Sequence, residues 1–189
     1  MRLDMIKTAL RPALIGGALV LSAVAARADM APPRVGDGIV FVEAGLFCPL
    51  TATGREAAPD TERGYIDVID QIMTADFATT TVPGEVGIGF GIRFKLPEGA
   101  PSRAARIVTT HPPFGSPPVT TESYATTVHG DSTNASLFTF DFPYEIALGE
   151  WTLSVEIGGE IVLSQRFNVV PAEESFIRAS MCDGPAMTS

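Results

Sequence analysis

After residue 37 the apolar positions recur at every second residue, the period of a β-strand with one buried face rather than the 3.6 of a helix. In Glu85–Leu96, Val86, Ile88, Phe90, Ile92, Phe94 and Leu96 share one phase, and Gly87, Gly89, Gly91, Arg93 and Lys95 share the other. Glycines weaken a strand, and two uses would justify them here: close approach of another backbone or ring to that face, or a bulge. Ala135–Phe142 sets Phe138, Phe140 and Phe142 on one face. Trp151–Ile157 aligns Trp151, Leu153, Val155 and Ile157, and Gly158-Gly159 then supplies a two-residue turn that accepts positive φ. The return strand aligns Ile161, Leu163, Phe167 and Val169, interrupted by Gln165. Together these segments predict a C-terminal β-hairpin.

Weaker alternation predicts strands over Gly38–Cys48, Gly64–Ile72, Ala105–Thr110 and Thr120–His129. Turn-rich segments separate them, among them TATGREAAPD, LPEGAPS, HPPFGSPP and HGDSTN, which hold many of the 15 prolines and 18 glycines. No long amphipathic helix follows residue 28, although Pro171–Met181 has room for a short one. Seven to eight short strands at regular spacing predict an all-β fold, an antiparallel β-sandwich of immunoglobulin-like architecture, with a closed β-barrel as the alternative. Neither an internal repeat nor a low-complexity tract interrupts this pattern.

The first residues follow another rule. Arg2, Lys7 and Arg11 form a basic start, Ala13–Ala26 is an uncharged apolar stretch, and Ala26-Arg27-Ala28 is a small-x-small cleavage site. Residues 1–28 are therefore expected to be a secretory signal peptide, cut after Ala28. The apolar stretch is too short for a spanning helix, which needs about 20 residues. The expected product is one domain, residues 29–189, periplasmic or secreted and without membrane insertion after cleavage. Losing the leader sharpens the charge: residues 29–189 keep nine basic and 21 acidic side chains, a net charge of −12. Such a surface repels phosphate backbones, so no nucleic-acid partner is expected, whereas cationic partners are permitted.

Export also changes the reading of the two cysteines. An even count in an oxidising compartment predicts one disulfide, Cys48–Cys182, tying the C-terminal tail back to the first strand. A redox pair would more usually show C-x-x-C, which is absent.

No catalytic, cofactor-binding or metal-binding residue is assigned, and no cofactor is expected. His111 and His129 lack the close ligand spacings of zinc sites and read as turn histidines. Neither G-x-S-x-G nor a phosphate-cradling G-x-x-x-x-G-K-[ST] occurs, and Lys95 is the single lysine after residue 28. The stretch Glu56–Asp76 carries Glu56, Asp60, Glu62, Asp67, Asp70 and Asp76. It offers oxygen ligands for calcium but lacks a D-x-[DN]-x-[DN]-G loop, so it reads as a solvated loop and strand edge. Thr109–Thr121 has four prolines around Phe114 and reads as a stiff extended loop, able to present Phe114 and His111 as a recognition tip.

GLFC at Gly45–Cys48, TGREAAPDTERGYI at Thr53–Ile66, VPGEVGIGFGIR at Val82–Arg93, THPP at Thr110–Pro113 and GEWTLSVEIGG at Gly149–Gly159 resemble a family of small exported bacterial proteins, domain of unknown function 3859. The resemblance implies a whole domain and carries no assigned activity or site residue. The first functional expectation is thus a non-enzymatic module that binds a protein or an envelope component. A metal-handling module using some of His111, His129, Met30, Asp131 or the acidic stretch comes second. An enzyme with an unrecognised site comes third.

Overall fold

The computed structural model describes residues 31–71 and 73–183. The expected signal peptide at residues 1–28, Met30 and Ile72 lie outside the described residues. Eleven strands are described: β1 (Arg34–Val35), β2 (Val40–Phe47), β3 (Gly54–Ala57), β4 (Tyr65–Val68), β5 (Thr81–Gly84), β6 (Gly89–Lys95), β7 (Arg103–Phe114), β8 (Val119–Val128), β9 (Asn134–Thr139), β10 (Gly149–Ile157) and β11 (Glu160–Pro171). The larger sheet runs β1-β11-β10-β7-β8, with β5 also paired to β11; the smaller runs β2-β6-β9; β3 and β4 form a separate hairpin. All pairings are antiparallel except β5 with β11. The fold is an all-β sandwich and not a closed barrel.

The two inner faces supply the core, as their alternation predicts. Ile88, Phe90, Ile92, Phe94 and Leu96 from the smaller sheet pack with Trp151, Leu153, Val155, Ile157, Leu163, Phe167 and Val169 from the larger. Phe90 sits at the junction, its ring 5.0 Å from Phe167 and 5.5 Å, edge-on, from Trp151. Burying such rings contributes on the order of 1.5–3 kcal/mol each from area alone. The indole N–H of Trp151 donates to the Ala147 carbonyl at 2.8 Å, so this buried polar atom is satisfied.

The strand count exceeds the expected seven to eight because short pieces cover sheet edges. β1 pairs with Leu163–Ser164 and β5 with Asn168–Pro171, both along the outer side of β11. The outer side of β2 is met by Asp76 and Phe77, whose backbone bonds to Leu46. Gly158 and Gly159 take φ of 65° and 85°, the positive pair a tight hairpin turn requires.

Several sequence expectations need correction. Val86 is exposed, because Glu85–Ile88 closes a turn (Ile88 N–H to Glu85 carbonyl, 3.2 Å) and the strand starts only at Gly89. Ile161 is exposed because a bulge in the β10–β11 pairing, with Glu156 opposite Ile161 and Val155 opposite Leu163, turns it out of phase. Gln165 does not interrupt the inward row; it continues it, fully buried, donating to the carbonyls of Ala31 and Arg166 at 2.8 Å each. At Gly91 the close-approach reading holds: a Cβ there would collide with the carbonyl oxygen of Ser136 on β9. Pro171–Met181 holds short 3-10 turns, at Ala172–Glu174 and Ala179–Asp183.

Cys48, one residue past β2, and Cys182 are joined by a disulfide with Cα atoms 5.3 Å apart and a sequence separation of 134. The tail is anchored further by buried Ile177 and by Glu85, whose carboxylate accepts the Ala179 N–H at 3.0 Å.

Candidate functional site

The expected recognition tip is not a tip. β7 runs through His111-Pro112-Pro113 to Phe114, and the prolines, which cannot donate, coincide with the break in pairing to β8 between Thr110 and Phe114. His111 and Phe114 are both only 6% exposed. The His111 ring stacks between Phe114 and Trp151, centroids 4.3 and 4.6 Å away. Its Nδ1 faces the Pro112 carbonyl at 2.9 Å. A carbonyl only accepts, so Nδ1 carries the proton. Nε2 faces Glu122 Oε2 at 3.4 Å, and neither buried atom has another hydrogen-bond partner among the described residues.

Glu122 leads from the core to an open cleft of about 970 Å3. Its floor is the inner face of β7 and β8, where Ile107, Thr109, Glu122, Tyr124 and Thr126 share one phase. The two walls are different. From β4, the consecutive residues Tyr65, Ile66, Asp67 and Val68 all line the cleft; from β9, so do Asn134, Ala135, Leu137, Phe138 and Thr139. Successive strand residues point to opposite faces, so a cavity lined by consecutive residues runs along a strand's edge. β4 pairs only with β3, and β9 only with β6, among the described residues.

The turn between β3 and β4 is pinned across one end. The Glu62 N–H donates to Glu122 Oε1 at 2.7 Å, and the Ser123 N–H donates to the Asp60 carbonyl at 3.0 Å. Arg63 pairs with Asp141 and with Asp67, while its guanidinium and that of Arg55 lie 4.4 and 4.3 Å from the centroid of the Tyr65 ring. Tyr144 donates to Glu62 at 3.0 Å; desolvation, that hydrogen bond and the nearby carboxylates push its hydroxyl up to about 12. Glu145 is buried and accepts the backbone N–H groups of Asp141 and Phe142 at 2.7 and 2.9 Å, and burial raises its carboxyl above the ordinary range. Burial likewise raises the Tyr124 hydroxyl on the cleft floor.

The acidic stretch is dispersed rather than gathered. Asp60 pairs with Arg106, Asp70 accepts from Thr53, and Asp76 accepts the Cys48 N–H. His129 is exposed beside Asn134 and does not approach His111. Among the described residues no group of three or more His, Cys, Asp and Glu side chains converges, and no helix is long and apolar enough to cross a membrane. Sequence reasoning passed over Glu122, yet its inward phase with Tyr124 and Val128 marks it: a carboxylate in a core-facing row demands a partner.

Residues 39–169 match the family described as a domain of unknown function (DUF3859). The chain belongs to that family. The matched DUF3859 segment spans β2 to β10 and most of β11, and so includes the cleft floor, the β9 wall and the β3–β4 hairpin. No curated protein sequence matches the chain. Among solved structures it is similar to a crystal structure of an immunoglobulin-like protein from Pseudomonas aeruginosa, at 23% identity, covering 75% of this chain and 98% of that one, with a TM-score of 0.47.

Proposed function

We propose that this DUF3859 domain is an exported binding module, working in the periplasm or outside the cell, that holds part of a protein or envelope component in the β4–β9 cleft. The observation that carries the reading is the cleft itself: about 970 Å3 bounded on two sides by strand edges rather than by closed faces. Strand edges present unpaired backbone donors and acceptors, which a sandwich ordinarily covers. The signal-like leader and the net charge of −12 over residues 29–189 support an extracytoplasmic role toward cationic or neutral partners.

The test is site-specific photocrosslinking in the native envelope. A photoreactive residue at Thr126, on the cleft floor, should capture a discrete partner that the same group at exposed Glu160 does not. Identical capture from both positions, or none from Thr126, would refute the reading.

A further inference from the structure

The two layers of the sandwich are unequal. The larger sheet is five strands wide, β1-β11-β10-β7-β8, while the smaller has three, β2-β6-β9. Where a further strand of the smaller sheet would lie over β7 and β8, the structure has the cleft, and beyond it the detached β3–β4 hairpin. Among the described residues, β11 is met by β1 and β5, the outer side of β2 by Asp76–Phe77, and β8 at Ser123 by Asp60.

The β9 edge stands apart. Its sequence, NASLFT, contains no charge and no proline, the devices that normally keep an edge from pairing. It is half-buried and fronts the cleft with every residue but Ser136. We infer that β9 is a docking edge: an extended segment of a partner protein adds beside it as the next strand of the smaller sheet, between β9 and β4, with alternate side chains on the β7–β8 floor. This rests on the binding-module reading and specifies its mode.

The lining also selects the occupant. Inward residues of the added strand would meet Ile107 and Tyr124, so they are apolar. At the charged positions the lining carries six carboxylates against two arginines; Arg63 pairs with Asp67 and Asp141, Arg93 pairs with Glu43, and Glu122 and Glu145 are buried, which leaves Glu56 and Asp70 as accessible carboxylates without an arginine partner among the described residues. The outward residues are therefore lysine or arginine. A second copy of the chain fits poorly, because two domains of net charge −12 repel.

The probe is a synthetic peptide of about seven residues alternating Val and Lys, added to isotope-labelled protein comprising residues 29–189 with its disulfide intact. Binding should slow hydrogen exchange at the amides of Asn134–Thr139. A Val/Glu peptide, and Val/Lys peptides N-methylated at alternate residues, should bind at least about tenfold more weakly. Ala135→Lys lies on the outer phase of β9 and should weaken binding similarly while leaving the melting temperature unchanged. Peptide binding without protection of β9, or indifference to N-methylation, would overturn the docking mode. So would dimerisation of the free protein through β9. Capture at Thr126 without β9 protection removes this inference and leaves the binding-module reading standing; failure of both experiments removes both.

Discussion

His111 Nε2 lies 3.4 Å from Glu122 Oε2, with the imidazole wholly shielded and the carboxylate nearly so. Removing one member of such a pair leaves a buried polar atom of the other facing an apolar group, at a cost of about 1–3 kcal/mol. His111→Phe keeps the stack between Phe114 and Trp151 but strands Glu122. Urea unfolding should show a large loss for His111→Phe alone and substantial recovery in His111→Phe/Glu122→Gln, whose amide oxygen still accepts the Glu62 N–H. A single mutant as stable as the parent would disprove the coupling.

Glu145 makes a prediction with a definite sign. Its carboxyl is raised by desolvation above its ordinary value of 4.5, so the folded state favours the protonated form. The stabilisation this gives is present below pH 4.5 and declines as pH rises through the folded-state value. Glu145→Gln removes the charge and keeps an acceptor for the Asp141 and Phe142 N–H groups. Its stability relative to the parent should therefore climb as pH increases above 4.5. Glu145→Ala orphans both N–H groups and should cost about 1–3 kcal/mol for each. Parallel pH–stability curves for parent and Glu145→Gln would contradict this account.

The sandwich was legible because alternation is local: Trp151, Leu153 and Val155, or Phe90, Ile92 and Phe94, each reveal a buried face without knowledge of the partner. Edges were less legible. β1 and β5 are two and four residues long, too short to show a period, and exist because β11 offers backbone partners. β3 has the sequence of a turn, since GREA has no apolar alternation, and as a strand it is fully exposed. The burial of His111 and Phe114 was hidden by the surrounding prolines, which signal a loop but here mark a break in the pairing of one long strand. The cleft has no sequence signature of its own. It arises from a strand that the smaller sheet lacks, a property of topology rather than of any segment.

The Cys48–Cys182 bond spans 134 residues, and the chain-entropy treatment assigns a loop of that size roughly 4–5 kcal/mol. Cys48→Ser/Cys182→Ser should lose stability of this order in chemical denaturation, and reducing agent should destabilise the parent but not the double mutant. Exchange should rise first at Ile177 and Ala179, because the tail loses its covalent tie before the core is touched. Equal stability with and without reductant would show that the bond contributes nothing.

Two glycines separate steric need from mere tolerance. Gly91 on β6 is crowded by the Ser136 carbonyl and by Leu137, whereas the exposed Gly54 on β3 has no neighbour within 4 Å of where a Cβ would stand. Gly91→Ala must push β9 away and should cost about 1–3 kcal/mol, the range for overpacking. Gly54→Ala should be neutral or stabilising by up to about 1 kcal/mol, through reduced freedom of the unfolded chain. Amide exchange along Asn134–Thr139 should accelerate in Gly91→Ala and stay unchanged in Gly54→Ala. If both substitutions were equally harmless, β9 would not be held against β6 as closely as Gly91 implies, and its edge would be a poor template for any added strand.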